Sequence, residues 1–112
     1  MDTPNMGTKL IALYTQPNDP EAFEKRYFEG HVPFVKKLPG IRGVEISRGR
    51  GKDAPYYLMA EMAFDSVDDL RAALRSPEMA ATAADVQEFA GDLLTIFQVE
   101  TLDFWEPESD AV

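Results

Sequence analysis

The chain has 112 residues, 45% apolar and 28% charged, with a formal net charge of −9 and no cysteine. That length is one domain with enough apolar surface for a core. The acidic balance argues against nucleic acid as a partner, and the missing cysteines exclude disulfides and thiolate metal sites. No apolar run approaches the length that crosses a bilayer. The opening MDTPNMGTK has no basic segment followed by an apolar one, so residues 1–8 read as a flexible leader and the location as cytoplasmic.

KLIALYTQ (9–16) is the first expected strand, with Leu10, Ala12 and Tyr14 on one alternating set and Ile11 and Leu13 on the other. A strand apolar on both sets is covered on both sides. A helix follows from Pro20, capped by Asp19 and ended by Leu38-Pro39-Gly40. Helical spacing puts Phe23, Tyr27, Phe34 and Leu38 near one face, and His31 shares it. Pro33 has no N–H for the carbonyl of Glu29, and with Gly30 beside it a kink or local break is expected there.

Residues 41–49 and 56–64 read as a hairpin of strands around a basic, glycine-rich loop containing Arg50 and Lys52, with Arg48 at its edge. The third strand sets Tyr57 and Met59 against Leu58 and Met62. Helices follow from Ser66 and from Ser76-Pro77, the second stopping at Gly91. LLTIFQVETLDFW is the last strand, and from Glu106 to Val112 an acidic flexible tail is expected. The order strand, helix, strand, strand, helix pair, strand is that of an α+β, ferredoxin-like βαββαβ sandwich: a four-stranded antiparallel sheet with its helices on one face. The apolar second face calls for a second sheet, and the simplest source is another copy, giving a homodimer built as a dimeric α/β barrel.

Three stretches carry a resemblance that runs from about Lys9 to Trp105: KLIALYTQPNDPEAFEKRYFEGHVPFVKKLPGI, YYLMAEMAFDSVDDLRAAL and SPEMAATAADVQEFAG. They resemble the EthD family of dimeric α/β-barrel proteins, most specifically in YFEGHVP followed by LPG. The resemblance implies the same fold and a dimer. It is similar in this to muconolactone isomerases, to polyketide-modifying dehydratases and cyclases, and to a superfamily with cofactor-free monooxygenases and haem enzymes. Fold does not select among these activities.

His31, the chain's one histidine, is the candidate catalytic acid–base. Read from the residues alone it fits a packed core histidine bonded to a backbone carbonyl or a strand residue; the resemblance brings a role in the cleft between the first helix and the sheet level with that. Tyr14, Tyr27, Tyr57, Phe34 and Glu61 are the candidate substrate-binding residues, with barrel or helix packing as the plainer role of the aromatics and the cleft or dimer rim as the two places for Glu61. Asp85, matched by the resemblance, reads as a helix-packing or hydrogen-bonding residue. One histidine and scattered carboxylates give no metal-ligand spacing, and no cofactor is expected. The expected function is binding of a small apolar or aromatic metabolite. Its chemistry would be a cofactor-independent isomerisation, dehydration or oxygenation; the alternative is a non-catalytic ligand-binding or accessory protein for an oxidase.

Overall fold

Strand β1 (Thr8–Tyr14) is apolar on both alternating sets and takes an inner position in the sheet. It pairs antiparallel with β3 (Leu58–Phe64) on one side and β4 (Leu94–Glu100) on the other. β2 (Gly43–Arg48) pairs antiparallel with the far side of β3, giving the order β2-β3-β1-β4. The computed structural model describes residues 7–108; the expected leader up to residue 6 and the expected tail from residue 109 lie outside the described residues.

The strands are shorter than their apolar runs. β3 and β4 each run only where β1 offers a partner, between Tyr14 and Thr8, and residues 101–108 follow without regular structure. Tyr57 falls just outside β3. Its ring leaves the alternation that groups it with Met59 and stands edge-on to Phe23 of the first helix.

Caps start the helices where the sequence puts them. Asp19 accepts from the Ala22 N–H at the head of α1 (Pro20–Arg26), Ser66 from Asp69 at α3 (Val67–Leu74) and Ser76 from Met79 at α4 (Pro77–Ala90). α4 leads through a 3₁₀ turn, Gly91–Leu93, into β4.

The expected kink is a π turn, Tyr27–His31, between α1 and the short α2 (Val32–Val35). The Val32 N–H bonds to the carbonyl of Tyr27, five residues back. A π turn takes more residues than an α turn and so rotates the helix beyond it. Val35 therefore faces the core, and Phe34, expected inward at α-helical phase, is only half-buried.

The result is an α+β, ferredoxin-like sandwich. Leu10, Ala12 and Tyr14 of β1 and Leu58, Ala60, Met62 and Phe64 of β3 face Phe23, Tyr27, Leu70 and Val86 of the helices and form the core. The outer face of the sheet keeps Ile11, Leu13, Met59, Phe97 and Val99, beside a Lys9–Glu61 ion pair at 3.3 Å. No helix among the described residues is long and apolar enough to cross a membrane.

Candidate functional site

Between the helix face of the sheet and the helices lies a cavity of about 210 Å³. Its floor is Leu10, Ala12, Tyr14, Ala60 and Met62 from the strands; Tyr27, His31 and Val35 close one side and α4 the other. The mouth opens between α4, at the exposed Ala83 and Gln87, and β4, at Ile96. The walls are apolar apart from His31, two phenols, Thr82 and Gln87. Thr82 is used internally, donating to the carbonyl of Glu78.

His31 is buried, and its ring packs against Tyr27 and Phe89. Its Nδ1 lies 2.8 Å from Asp85 Oδ2. Arg26 donates to the same carboxylate as a fork, Nη2 to Oδ1 at 2.7 Å and Nη1 to Oδ2 at 3.2 Å, while its guanidinium lies 4.3 Å from the centre of the Phe89 ring. The Arg26 hydrogen bonds hold the Asp85 carboxyl below its ordinary range, with His31 adding to the effect against the opposing cost of burial. An ionised carboxylate can only accept, so His31 Nδ1 carries the proton. Burial pulls the His31 pKa below 6.5, outweighing Asp85. At neutral pH the ring is thus neutral, with its lone pair on Nε2.

Nε2 has no protein partner among the described residues, and no fully buried side-chain nitrogen there is left unpaired, so Nε2 keeps its access to the cavity. Tyr14 and Tyr27 stand edge-on, ring centres 5.4 Å apart. Burial pushes the Tyr27 phenol up to about 12, and Tyr14 is raised by burial first and by Tyr27 second. Both phenols stay protonated; Tyr14 donates to Tyr27, whose own hydroxyl is left to donate. The arrangement can therefore take a proton at His31 and supply a hydroxyl donor from Tyr27 beside it.

The structure brings His31, Tyr14 and Tyr27 to one cavity and leaves the other three candidates outside it. Phe34 is turned away by the π turn. Glu61 lies on the outer sheet face with Lys9, not in the cleft. Tyr57 donates to Glu24, which also receives a fork from Arg48 at 2.8 and 2.7 Å. Arg48 chiefly holds the Glu24 carboxyl low; burial first and Glu24 second raise the Tyr57 phenol. Arg26 is the residue that sequence reasoning misses, since nothing in the chain signals which face of α1 meets α4. Among the described residues, no three histidines or carboxylates gather as a metal-ligand set.

The EthD domain family matches residues 15–92, a span that holds Arg26, His31 and Asp85. The chain belongs to the EthD family. An 11.0 kDa protein from the thcB–thcC intergenic region of Rhodococcus erythropolis is 31% identical over 93 residues, covering 79% of this chain and 88% of its own. Among solved structures, an EthD family protein of Bacillus halodurans is 41% identical with a TM-score of 0.80, over 85% of this chain and 98% of that one. Two further structures share the fold at low identity. SnoaB, a cofactor-independent oxygenase of Streptomyces nogalater, has TM-score 0.66 at 20% identity, covering 87% and 94% of the two chains. A dimeric ferredoxin-like protein of unknown function from Thermobifida fusca has TM-score 0.60 at 21%, covering 84% and 90%.

Proposed function

We propose that this EthD protein binds a small apolar or aromatic metabolite bearing an oxygen function and uses His31 on it as general base and acid. The observation that carries the reading is the neutral His31, its Nδ1–H held by Asp85 and its Nε2 open to an apolar cavity beside two protonated phenols. A cavity of about 210 Å³ lies below the roughly 300 Å³ at which drug-sized pockets begin, which favours a compound of one or two rings. Nε2 takes an acidic C–H or O–H proton, Tyr27, itself accepting from Tyr14, donates to the oxyanion that forms, and the imidazolium returns the proton elsewhere on the substrate. Returned to another carbon this is isomerisation; returned to a departing hydroxyl it is dehydration. Where the carbanion instead gives its electrons to dioxygen it is oxygenation without a cofactor, the activity of the SnoaB neighbour.

The working unit in this reading is a homodimer. The apolar outer sheet face supports it, as does the dimeric state of the T. fusca neighbour.

A panel of one- and two-ring phenols and 1,3-dicarbonyls, followed by absorbance and oxygen uptake, tests the chemistry. A compound turned over by the wild type is expected to lose about 10²–10⁴-fold in kcat with His31→Gln, while its Kd by tyrosine and tryptophan fluorescence stays within a few-fold. Unchanged turnover in a folded His31→Gln protein overturns the acid–base role. Binding without turnover of any panel member by the wild type supports a carrier instead.

A further inference from the structure

The cavity is open along one side, and that side is a sheet edge. Among the described residues β4 is the outermost strand, with no neighbour beyond it, and is exposed over most of its length. Ile96, at the cavity mouth, is 51% exposed, and Phe97 on the opposite face is 43% exposed. A long apolar edge of this kind calls for a cover.

The chain carries a second stretch with the same need. After the Thr101 N–H bonds to the Gly7 carbonyl at 2.9 Å, residues 102–108 continue without helix, strand or turn. Leu102 and Trp105 there are 83% and 78% exposed. The segment does not serve its own cavity. It leaves from the Glu100 end of β4, about 14 Å of strand beyond Ile96, has no turn to bring it back, and none of its residues lines the cavity. Extended, residues 101–108 span about 25 Å. That is ample to pass from one sheet to a second stacked about 10 Å away.

We propose that the segment containing Leu102, Phe104 and Trp105 closes the cavity of a second copy, laying Trp105 over Ile96 at the mouth between β4 and α4. Each protomer then lacks one wall of its own site, and the dimer supplies it. The functional meaning rests on the acid–base role proposed for the cavity, but the contact itself does not.

Because the protein has no cysteine, the contact can be trapped directly. Ile96→Cys protein mixed with Trp105→Cys protein and oxidised is expected to yield a covalent dimer with one chain of each. Both positions are exposed, so both variants are expected to fold. Cross-links only between two Ile96→Cys chains, only within a chain carrying both substitutions, or none in a mixture shown to be dimeric overturn the proposal. Trp105 is the only tryptophan, so the unaltered protein gives a second readout. Its emission is expected to be blue-shifted and severalfold less quenched by acrylamide in the dimer, reverting on dilution to monomer. Emission typical of exposed tryptophan in the dimer overturns the proposal as well. Adding His31→Ala to the Ile96→Cys protein separates the contact from the chemistry: the cross-link is expected to persist even where turnover is lost.

Discussion

Asp85 accepts from two donors on the other helix, and its charge decides what it does for each. For Arg26 it is a counter-ion; for His31 it fixes which nitrogen holds the proton. Asp85→Asn leaves a partly buried guanidinium short of its fork and lets the imidazole ring choose its tautomer. The expected cost is about 1.5–3 kcal/mol of stability, the range for hydrogen bonds to charged groups, read from urea unfolding. A loss under about 0.5 kcal/mol, the floor for an ordinary hydrogen bond, contradicts that role. The pH dependence has a definite sign. His31 has a folded pKa below its unfolded 6.5, so the unfolded chain binds the proton first. Stability is expected to fall as pH drops below about 6.5, by at most about 1.4 kcal/mol per unit for one proton, and to level off below the folded pKa. Asp85, with its folded pKa below 3.8, adds a second loss at lower pH as its carboxylate is protonated. His31→Gln removes the first fall and keeps the second.

The π turn is the element on which the site depends, and Gly30 is its narrow point. A Cβ at residue 30 would lie 2.7 Å from Arg26 Nη1, the far end of a flexible side chain. Gly30→Ala is therefore expected to swing the guanidinium off Asp85 without breaking the fold: the gain of about 1 kcal/mol in helix propensity offsets part of the lost fork. Thermal unfolding should show a net loss of no more than about 2 kcal/mol, while the Asp85 carboxyl pKa, followed by carbon NMR, rises. An unchanged Asp85 pKa would show that Arg26 is not what holds it down.

At this scale the sequence is a good guide up to one point. Asp19, Ser66 and Ser76 mark helix starts because a cap is a local hydrogen bond. Alternation in β1 marks an inner strand because burial on both faces leaves a local pattern. Gly30 and Pro33 mark a break but not its kind. A bond five residues back leaves no trace in composition, so Phe34 is inward by α-helical phase and half outward in the fold. His31 is legible as a candidate, and Tyr14 and Tyr27 with it. The Arg26–Asp85–His31 triplet is not, because it is a contact between distant helices whose facing surfaces only the packed fold defines.

For the whole molecule, the proposed dimer sets two opposing forces against each other. Covering Leu13, Met59, Phe97 and Val99, which are half-buried or exposed in one chain, removes apolar surface from water at roughly 25 cal/mol per Å². Against this, each chain brings a formal charge of −9. The Lys9–Glu61 pair is satisfied within one sheet and gives the partner no cation to seek. Repulsion between like-charged chains reaches about 30 Å at 0.01 M salt but only about 8 Å at 0.15 M, shorter than the roughly 10 Å between stacked sheets. Salt is therefore expected to tighten the dimer, with Kd by sedimentation equilibrium falling between about 0.01 and 0.15 M sodium chloride. A Kd that rises with salt would mean that ion pairs between chains hold the assembly and that the apolar face is not the interface. Leu13→Asp checks the same surface from the other side: a charge in the middle of that face should leave the far-UV circular dichroism unchanged and the protein monomeric at concentrations where the wild type is paired. A Leu13→Asp protein that still dimerises with wild-type affinity would move the interface elsewhere on the molecule.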